Sequence, residues 1–105
     1  MELNNKTIMI TGAAGGLGQA MACELASAGA RLALVDIDER QAADVAAALD
    51  TECRGYGANV AEEGAVEGLV ERVRSDFGPS LHGLVNNAGI TRDGLLVKAR
   101  DGEIM

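Results

Sequence analysis

Residues 10–18, ITGAAGGLG, place glycines at 12, 15, 16 and 18 between the apolar run Ile8-Met9-Ile10 and an alanine-rich stretch. A turn from a strand into a helix presents unpaired backbone N–H groups and the positive end of a helix dipole, which together attract a phosphate. Glycine suits such a turn because a Cβ would block it or hold a diphosphate away from the backbone. A P-loop is disfavoured, since Gly16 is followed by Leu17-Gly18-Gln19 and not by Gly-Lys-Ser/Thr. The spacing Gly12-x3-Gly16-x-Gly18 also departs from GxGxxG, so taken alone the loop leaves a phosphate seat and a purely structural turn both open.

Asp36 ends a second apolar run, Leu32 to Val35, 18 residues after Gly18. A carboxylate at that strand end can accept hydrogen bonds from both hydroxyls of an adenosine ribose, the usual companion of a dinucleotide-binding glycine loop. The alternative is a solvated acid capping the helix that starts at Asp38. A 2′-phosphate beside Asp36 would meet like-charge repulsion of about 1 to 4 kcal/mol, depending on the effective dielectric. The cofactor expected is therefore NAD, with NADH preferred over NADPH. Arg40 is within sequence reach of a 2′-phosphate but reads as an exposed helix residue. A third feature is LVNNAG, residues 84–89, where an apolar strand runs into Asn86-Asn87-Ala88-Gly89. Asparagine amides can satisfy backbone groups at a strand end, and Ala-Gly leaves room for a flat ring or ribose; a polar turn explains this stretch equally.

These residues need strands that end together and helices that start beside them. Four short apolar runs recur, each followed by a segment of helical character: Thr7 to Ile10, Leu32 to Val35, a weaker one from Arg54 to Ala58, and Leu84-Val85 with its flanks. The first two are continuously apolar, as parallel strands covered on both faces are. Strand-helix repetition of this kind predicts an α/β sheet with right-handed crossovers. Leu17 to Ala28 reads as a helix lined by Ala20, Ala22, Leu25 and Ala26 and closed by a left-handed cap at Gly29. Asp38 to Leu49 reads as a second, with acids suited to its N-terminus. Val66, Leu69, Val70, Val73 and Phe77 line a third, weakened at its start by Gly64 and Gly68 and stopped by Gly78-Pro79.

The 105 residues allow one domain, and with no Trp, one Phe and one Tyr its core is expected to rest on Ala, Val, Leu, Ile and Met. A net charge of −7 argues against a nucleic-acid partner. Cys23 and Cys53 lack metal or CxxC spacing and read as reduced, partly buried thiols. The start MELNNKTIMIT has no signal-peptide core, and no stretch approaches the roughly 20 apolar residues of a membrane span. A cytoplasmic protein without membrane contact is expected.

Together, Thr11-Gly12-Ala13-Ala14-Gly15-Gly16-Leu17-Gly18, Asp36 and Asn86-Asn87-Ala88-Gly89 resemble the short-chain dehydrogenase/reductase family, whose motifs are TGxxxGxG and NNAG. The stretch NNAGITRDGLLVK, residues 86–98, looks most like its 3-oxoacyl-[acyl-carrier-protein] reductase branch. The resemblance implies a Rossmann-type doubly wound parallel sheet with strand order 3-2-1-4 over the cofactor-binding portion. It implies that Gly12, Gly15, Gly16, Leu17 and Gly18 form the diphosphate loop, that Asp36 holds the adenosine ribose, and that Ile37 packs beside the adenine. Asn59-Val60 stands where the family commonly has Asp-Val at the adenine, and Gly15 where many NADP-using relatives carry Arg. Asn86, Ala88 and Gly89 would lie near the nicotinamide-side ribose, with Asn87 tying the central strands together. A homo-tetramer is the common assembly in the family.

The family's chemistry uses Ser and a Tyr-x-x-x-Lys pair, in which the phenolic group exchanges the hydroxyl proton. Neither Ser nor pair has a counterpart here, since Tyr56 is the only tyrosine and Val60 follows it at the fourth position. The expectation is the amino-terminal cofactor-binding portion, 1–105, of a longer reductase, working with the remainder of the fold or a companion chain. Arg92, Lys98 and Arg100 form a small basic group that would suit an acyl carrier protein or a solvated helix face. Two other functions compete: a noncatalytic NAD-binding fragment, and an S-adenosylmethionine-binding domain, which accounts for the glycine loop and Asp36 but not for NNAG.

Overall fold

Aliphatic runs without alternation are stable only when both faces are covered, and the two strongest such runs form the middle of the sheet. The structure, a computed structural model, describes residues 3–87. In chain order the elements are β1 (Thr7–Thr11), α1 (Gly16–Ser27), β2 (Arg31–Asp36), α2 (Glu39–Ala47), β3 (Cys53–Gly57), α3 (Ala65–Phe77) and β4 (Gly83–Asn86). The four strands are all parallel in the order β3-β2-β1-β4, the expected topology. Ala88, Gly89 and the basic group Arg92, Lys98 and Arg100 lie outside the described residues.

Period-two alternation divides the core into two layers. Ile8, Ile10, Leu32 and Leu34 pack with Ala13, Ala22, Ala30 and Ala46 on the side of α1 and α2. Met9, Ala33, Val35 and Tyr56 pack with Leu69, Val73 and Phe77 of α3 on the other. Both aromatic residues are thus buried in the core, which departs from the purely aliphatic core expected from composition. β3 is tolerated as a weakly apolar strand because Gly55 lets α2 approach: a Cβ there would stand 2.6 Å from the Ala42 carbonyl carbon.

Helix faces depart from the sequence reading where side chains are uniformly small. In α1 the buried residues are Gly18 and Ala22, whereas Ala20 and Cys23 are exposed. Gly18 and Ala22 are four apart and share a face, while Ala20 and Cys23 turn away by about 100° per residue. Cys53 is half-buried, and both thiols are free. In α3 the stripe is Leu69, Val73 and Phe77; Val66 is exposed. The predicted stop at Gly29 holds in detail: with φ of +93°, Gly29 donates to Ala26 O and Ala30 to Leu25 O, the paired bonds of a Schellman motif.

Arg31 anchors the amino edge of the sheet. Its Nε and Nη2 donate to Thr7 Oγ1 at 3.2 and 2.7 Å, Nη2 also donates to Phe77 O at 2.8 Å, and the guanidinium lies 5.4 Å from the Phe77 ring centroid. His82 completes this edge: its N–H donates to Thr7 O at 2.8 Å while its Nδ1 accepts from Thr7 N–H at 3.0 Å. The two bonds tie the approach to β4 to the start of β1.

Tyr56 donates its hydroxyl to Asp76 Oδ2 at 2.7 Å, with Arg72 5.2 Å from its ring centroid. Burial raises its pKa well above the ordinary phenolic value, and the Asp76 hydrogen bond and charge push the same way, against Arg54 and Arg72. Above about pH 10 the unfolded tyrosine loses its proton while the folded one keeps it, so this contribution to stability is full below that pH and declines above it. Tyr56→Phe is expected to cost about 1 kcal/mol at neutral pH and to flatten the decline above pH 10, as read by urea denaturation from pH 7 to 11. Gly18→Ala is expected to destabilise by about 1–3 kcal/mol through overpacking, because its Cβ would overlap the Gly12 carbonyl oxygen and stand 2.8 Å from Ala13 Cα; a denaturation midpoint unchanged from the parent would contradict it.

Candidate functional site

Parallel pairing aligns the carboxyl ends of the strands: Thr11 stands opposite both Val35 and Asn86, and Asp36 opposite Gly57. The crevice outside such ends, where strand order reverses, is the ligand-binding edge of doubly wound sheets. Here β1 lies between β2 and β4, and the chain leaves it through the glycine loop.

The loop's hydrogen bonds can be followed residue by residue. Gly12 adopts φ of +66°, a conformation that favours glycine. Ala13 N–H donates to Val35 O at 2.9 Å, Ala14 N–H to Asp36 Oδ2 at 3.0 Å, and Gly15 N–H to Gly12 O at 3.3 Å. The next amides, those of Gly16, Leu17 and Gly18, have no acceptor among the described residues. The cap at Gly15 brings no side-chain bond and the first turn of α1 holds no acid. By contrast α2 is capped by Asp38, which accepts from Gln41 N–H at 3.2 Å, and carries Glu39 in its first turn. Among the described residues, nothing therefore neutralises the positive end of α1.

Gly16 is informative because the chain itself does not require it. A Cβ at Gly16 would meet nothing within 4 Å, whereas one at Gly18 would overlap backbone. The space at Gly16 is open among the described residues, as it also is at Gly68 on α3. Leu17 beside it is 55 % exposed.

Asp36 does not cap α2; Asp38 does. The half-buried Asp36 carboxylate takes Ala14 N–H on Oδ2 and Asp38 N–H, at 3.2 Å, on Oδ1. Each oxygen keeps a further lone pair, so two acceptor positions remain for a pair of hydroxyls. Ile37, 73 % exposed, follows at the rim. Ala58 N–H donates to Asp36 O at 3.0 Å and brings Asn59 and Val60 alongside. Asn59 closes a local turn, accepting Ala61 N–H on Oδ1 at 3.0 Å, and Val60 packs on the core layer under α3.

At the end of β4, Thr11 Oγ1 donates to Asn86 Oδ1 at 2.9 Å, and Asn87 Nδ2 donates to Gly12 O at 3.0 Å. Asn87 thus ties β4 to the glycine loop. Sequence reasoning missed Gln19, whose Nε2 donates to Ala14 O at 2.9 Å; a glutamine in a helix carries no signal separating this contact from a solvated face.

Tyr56 is unsuited to proton transfer, since its hydroxyl is committed to Asp76 and its pKa is raised. A groove of about 590 Å³ lies beside β3 between α2 and α3, with Arg54, Tyr56, Arg72 and Asp76 in its wall. It contains none of the site residues expected from the sequence.

The sequence profile of the family described as short chain dehydrogenase matches residues 6–105. The chain is 39 % identical over 101 residues to the 3-oxoacyl-[acyl-carrier-protein] reductase of Haemophilus influenzae, an alignment covering 96 % of this chain and 41 % of that protein. Among solved structures, the 3-ketoacyl-(acyl-carrier-protein) reductase from Brucella melitensis complexed with NADH superposes with a TM-score of 0.77 at 39 % identity, over 84 % of this chain and 36 % of the other. NAD+-bound xylitol dehydrogenase superposes with a TM-score of 0.73 at 34 % identity, over 80 % and 33 %. The chain spans 41 to 42 % of the length of the reductases it matches from Haemophilus influenzae and Escherichia coli. With a parallel β3-β2-β1-β4 sheet, a glycine loop and a family match over nearly all its residues, the chain belongs to the short-chain dehydrogenase family.

Proposed function

We propose that this chain supplies the dinucleotide site of an NAD(H)-dependent oxidoreductase that transfers hydride between nicotinamide and a carbonyl or secondary alcohol. The observation that carries the reading is the first turn of α1: among the described residues, its three amides have no acceptor, it holds no acid, and the space at Gly16 is open. In this reading Gly12, Gly15, Gly16, Leu17 and Gly18 seat the diphosphate, and Asp36 accepts from the adenosine ribose hydroxyls. Ile37, Asn59 and Val60 flank the adenine. Asn86, with Ala88 and Gly89, stands on the nicotinamide side. The nicotinamide, when bound, supplies or accepts the hydride. Ser and Tyr-x-x-x-Lys of the family pattern are not supplied by these 105 residues.

NADH is favoured over NADPH because the Asp36 carboxylate would face the 2′-phosphate. Similarity to the Haemophilus influenzae and Brucella melitensis reductases supports a 3-oxoacyl group on acyl carrier protein as substrate, with the carrier as partner. A tetramer in the cytoplasm belongs to the same proposal; among the described residues no helix is long and apolar enough to cross a membrane. The absence of the tyrosine-lysine pair favours a second reading for the 105-residue polypeptide taken alone, namely binding of NAD without turnover.

Quenching or enhancement of NADH fluorescence on titration tests the site. Gly16→Val is expected to weaken NADH binding at least about tenfold, roughly 1.4 kcal/mol, while stability stays within about 0.5 kcal/mol of the parent, as for exposed positions; full retention of affinity moves the phosphate seat elsewhere. Asp36→Ala is expected to weaken NADH by about tenfold or more, the scale of hydrogen bonds to a charged group, and to narrow the preference over NADPH. An unchanged NADH-to-NADPH ratio refutes the role of Asp36.

A further inference from the structure

We propose that Gln19 is a positioning residue for the dinucleotide site, acting through the Ala14 backbone on the Asp36 carboxylate. The inference rests on the reading of the site given above. Ala14 lies where the sheet reaches the loop through a side chain alone: Ala13 N–H is the last loop amide bonded to a strand's backbone, through Val35 O. Beyond it, two side chains hold the two peptide planes that meet at Ala14. Asp36 Oδ2 accepts Ala14 N–H at 3.0 Å and so fixes the plane before it. Gln19 Nε2 donates to Ala14 O at 2.9 Å and fixes the plane after it. Backbone support for that second plane is the long Gly15 N–H to Gly12 O bond of 3.3 Å.

The arrangement makes Asp36 depend on a residue that does not touch it. Without the Gln19 donor the plane between Ala14 and Gly15 is freer to rotate, and Ala14 Cα, which the two planes share, is held from one side, so that Ala14 N–H loosens through displacement of that shared atom. Asp36 then keeps one firm anchor, Asp38 N–H at 3.2 Å, and its remaining lone pairs are no longer aimed in advance at a pair of ribose hydroxyls. Ordering that is absent beforehand must be supplied on binding, which weakens affinity. A neutral donor suits this place. Glutamate would both lose the bond to Ala14 O and add negative charge in the first turn of α1.

A double-mutant cycle separates action through Asp36 from an independent effect. NADH and NADPH are titrated fluorometrically against the parent, Gln19→Met, Asp36→Ala and the double variant; methionine keeps length and helix propensity but cannot donate. The expected result is a loss of NADH affinity of about three- to tenfold for Gln19→Met, the scale of one net hydrogen bond, with a smaller NADH-to-NADPH ratio and an unchanged denaturation midpoint. In the Asp36→Ala background the same substitution is expected to change NADH affinity less than about twofold. Equal losses in both backgrounds, or a ratio unmoved by Gln19→Met, overturn the proposal while leaving the site reading intact. If the parent binds neither nucleotide, the site reading falls and this inference with it.

Discussion

The carbonyl of Gly12 is the point on which the carboxyl edge of this sheet depends. It accepts from Gly15 N–H and from Asn87 Nδ2, and its oxygen lies so close to Gly18 that no side chain fits between them. One backbone group thus joins the end of β1, the start of α1 and the exit of β4. The left-handed conformation of Gly12 allows the turn, and the missing Cβ of Gly18 lets α1 begin against it. Three amides without an acceptor among the described residues then follow the end of β1, which is paired on both sides.

Electrostatics follows from that placement. The chain carries a net charge of −7, yet the first turn of α1 holds no acid, while α2 and α3 each carry a glutamate in theirs. The nearby negative charge belongs to Asp36, and two N–H bonds hold it in the loop wall. Amides without an acceptor among the described residues thus stand a short distance from an oriented carboxylate, so donors and acceptors lie side by side at the strand ends. That separation depends on the register between β1 and β2, which the buried pairs Ile8–Leu32 and Ile10–Leu34 enforce, because a one-residue slip of either strand would exchange its side chains between two core layers of different shape.

Legibility in the sequence tracked how strongly each residue type constrains its surroundings. β1 and β2 were readable because unbroken aliphatic runs leave few alternatives to burial on both faces. The Gly29 cap and the Asp36 strand end were readable because their residue types suit those positions. The inner face of α1 was not, since alanine and glycine occur on all its sides and periodicity needs contrast; Ala20 and Cys23 were misplaced for that reason. Arg31, His82 and Gln19 escaped notice because their contacts span distant segments or resemble an ordinary helix surface. The motif glycines were conspicuous, but that packing of the chain requires Gly18 and leaves Gly16 unconstrained emerged only from the space around each.

That distinction also limits what this part of the family's architecture can specify. A protein with xylitol in its name and one acting on acyl carrier protein superpose on the same chain with TM-scores of 0.73 and 0.77. Their shared geometry is therefore indifferent to the group being oxidised or reduced. At the strand ends of this chain, Asp36 accepts from Ala14 and Asp38 N–H groups, and Gln19 Nε2 donates to Ala14 O across the loop. Its sole tyrosine is locked to Asp76 beneath α3, on the sheet's own core, where it stabilises packing and offers no proton to a substrate. The strand ends described here are shared with relatives named for different substrates, so their geometry singles out none of those substrates.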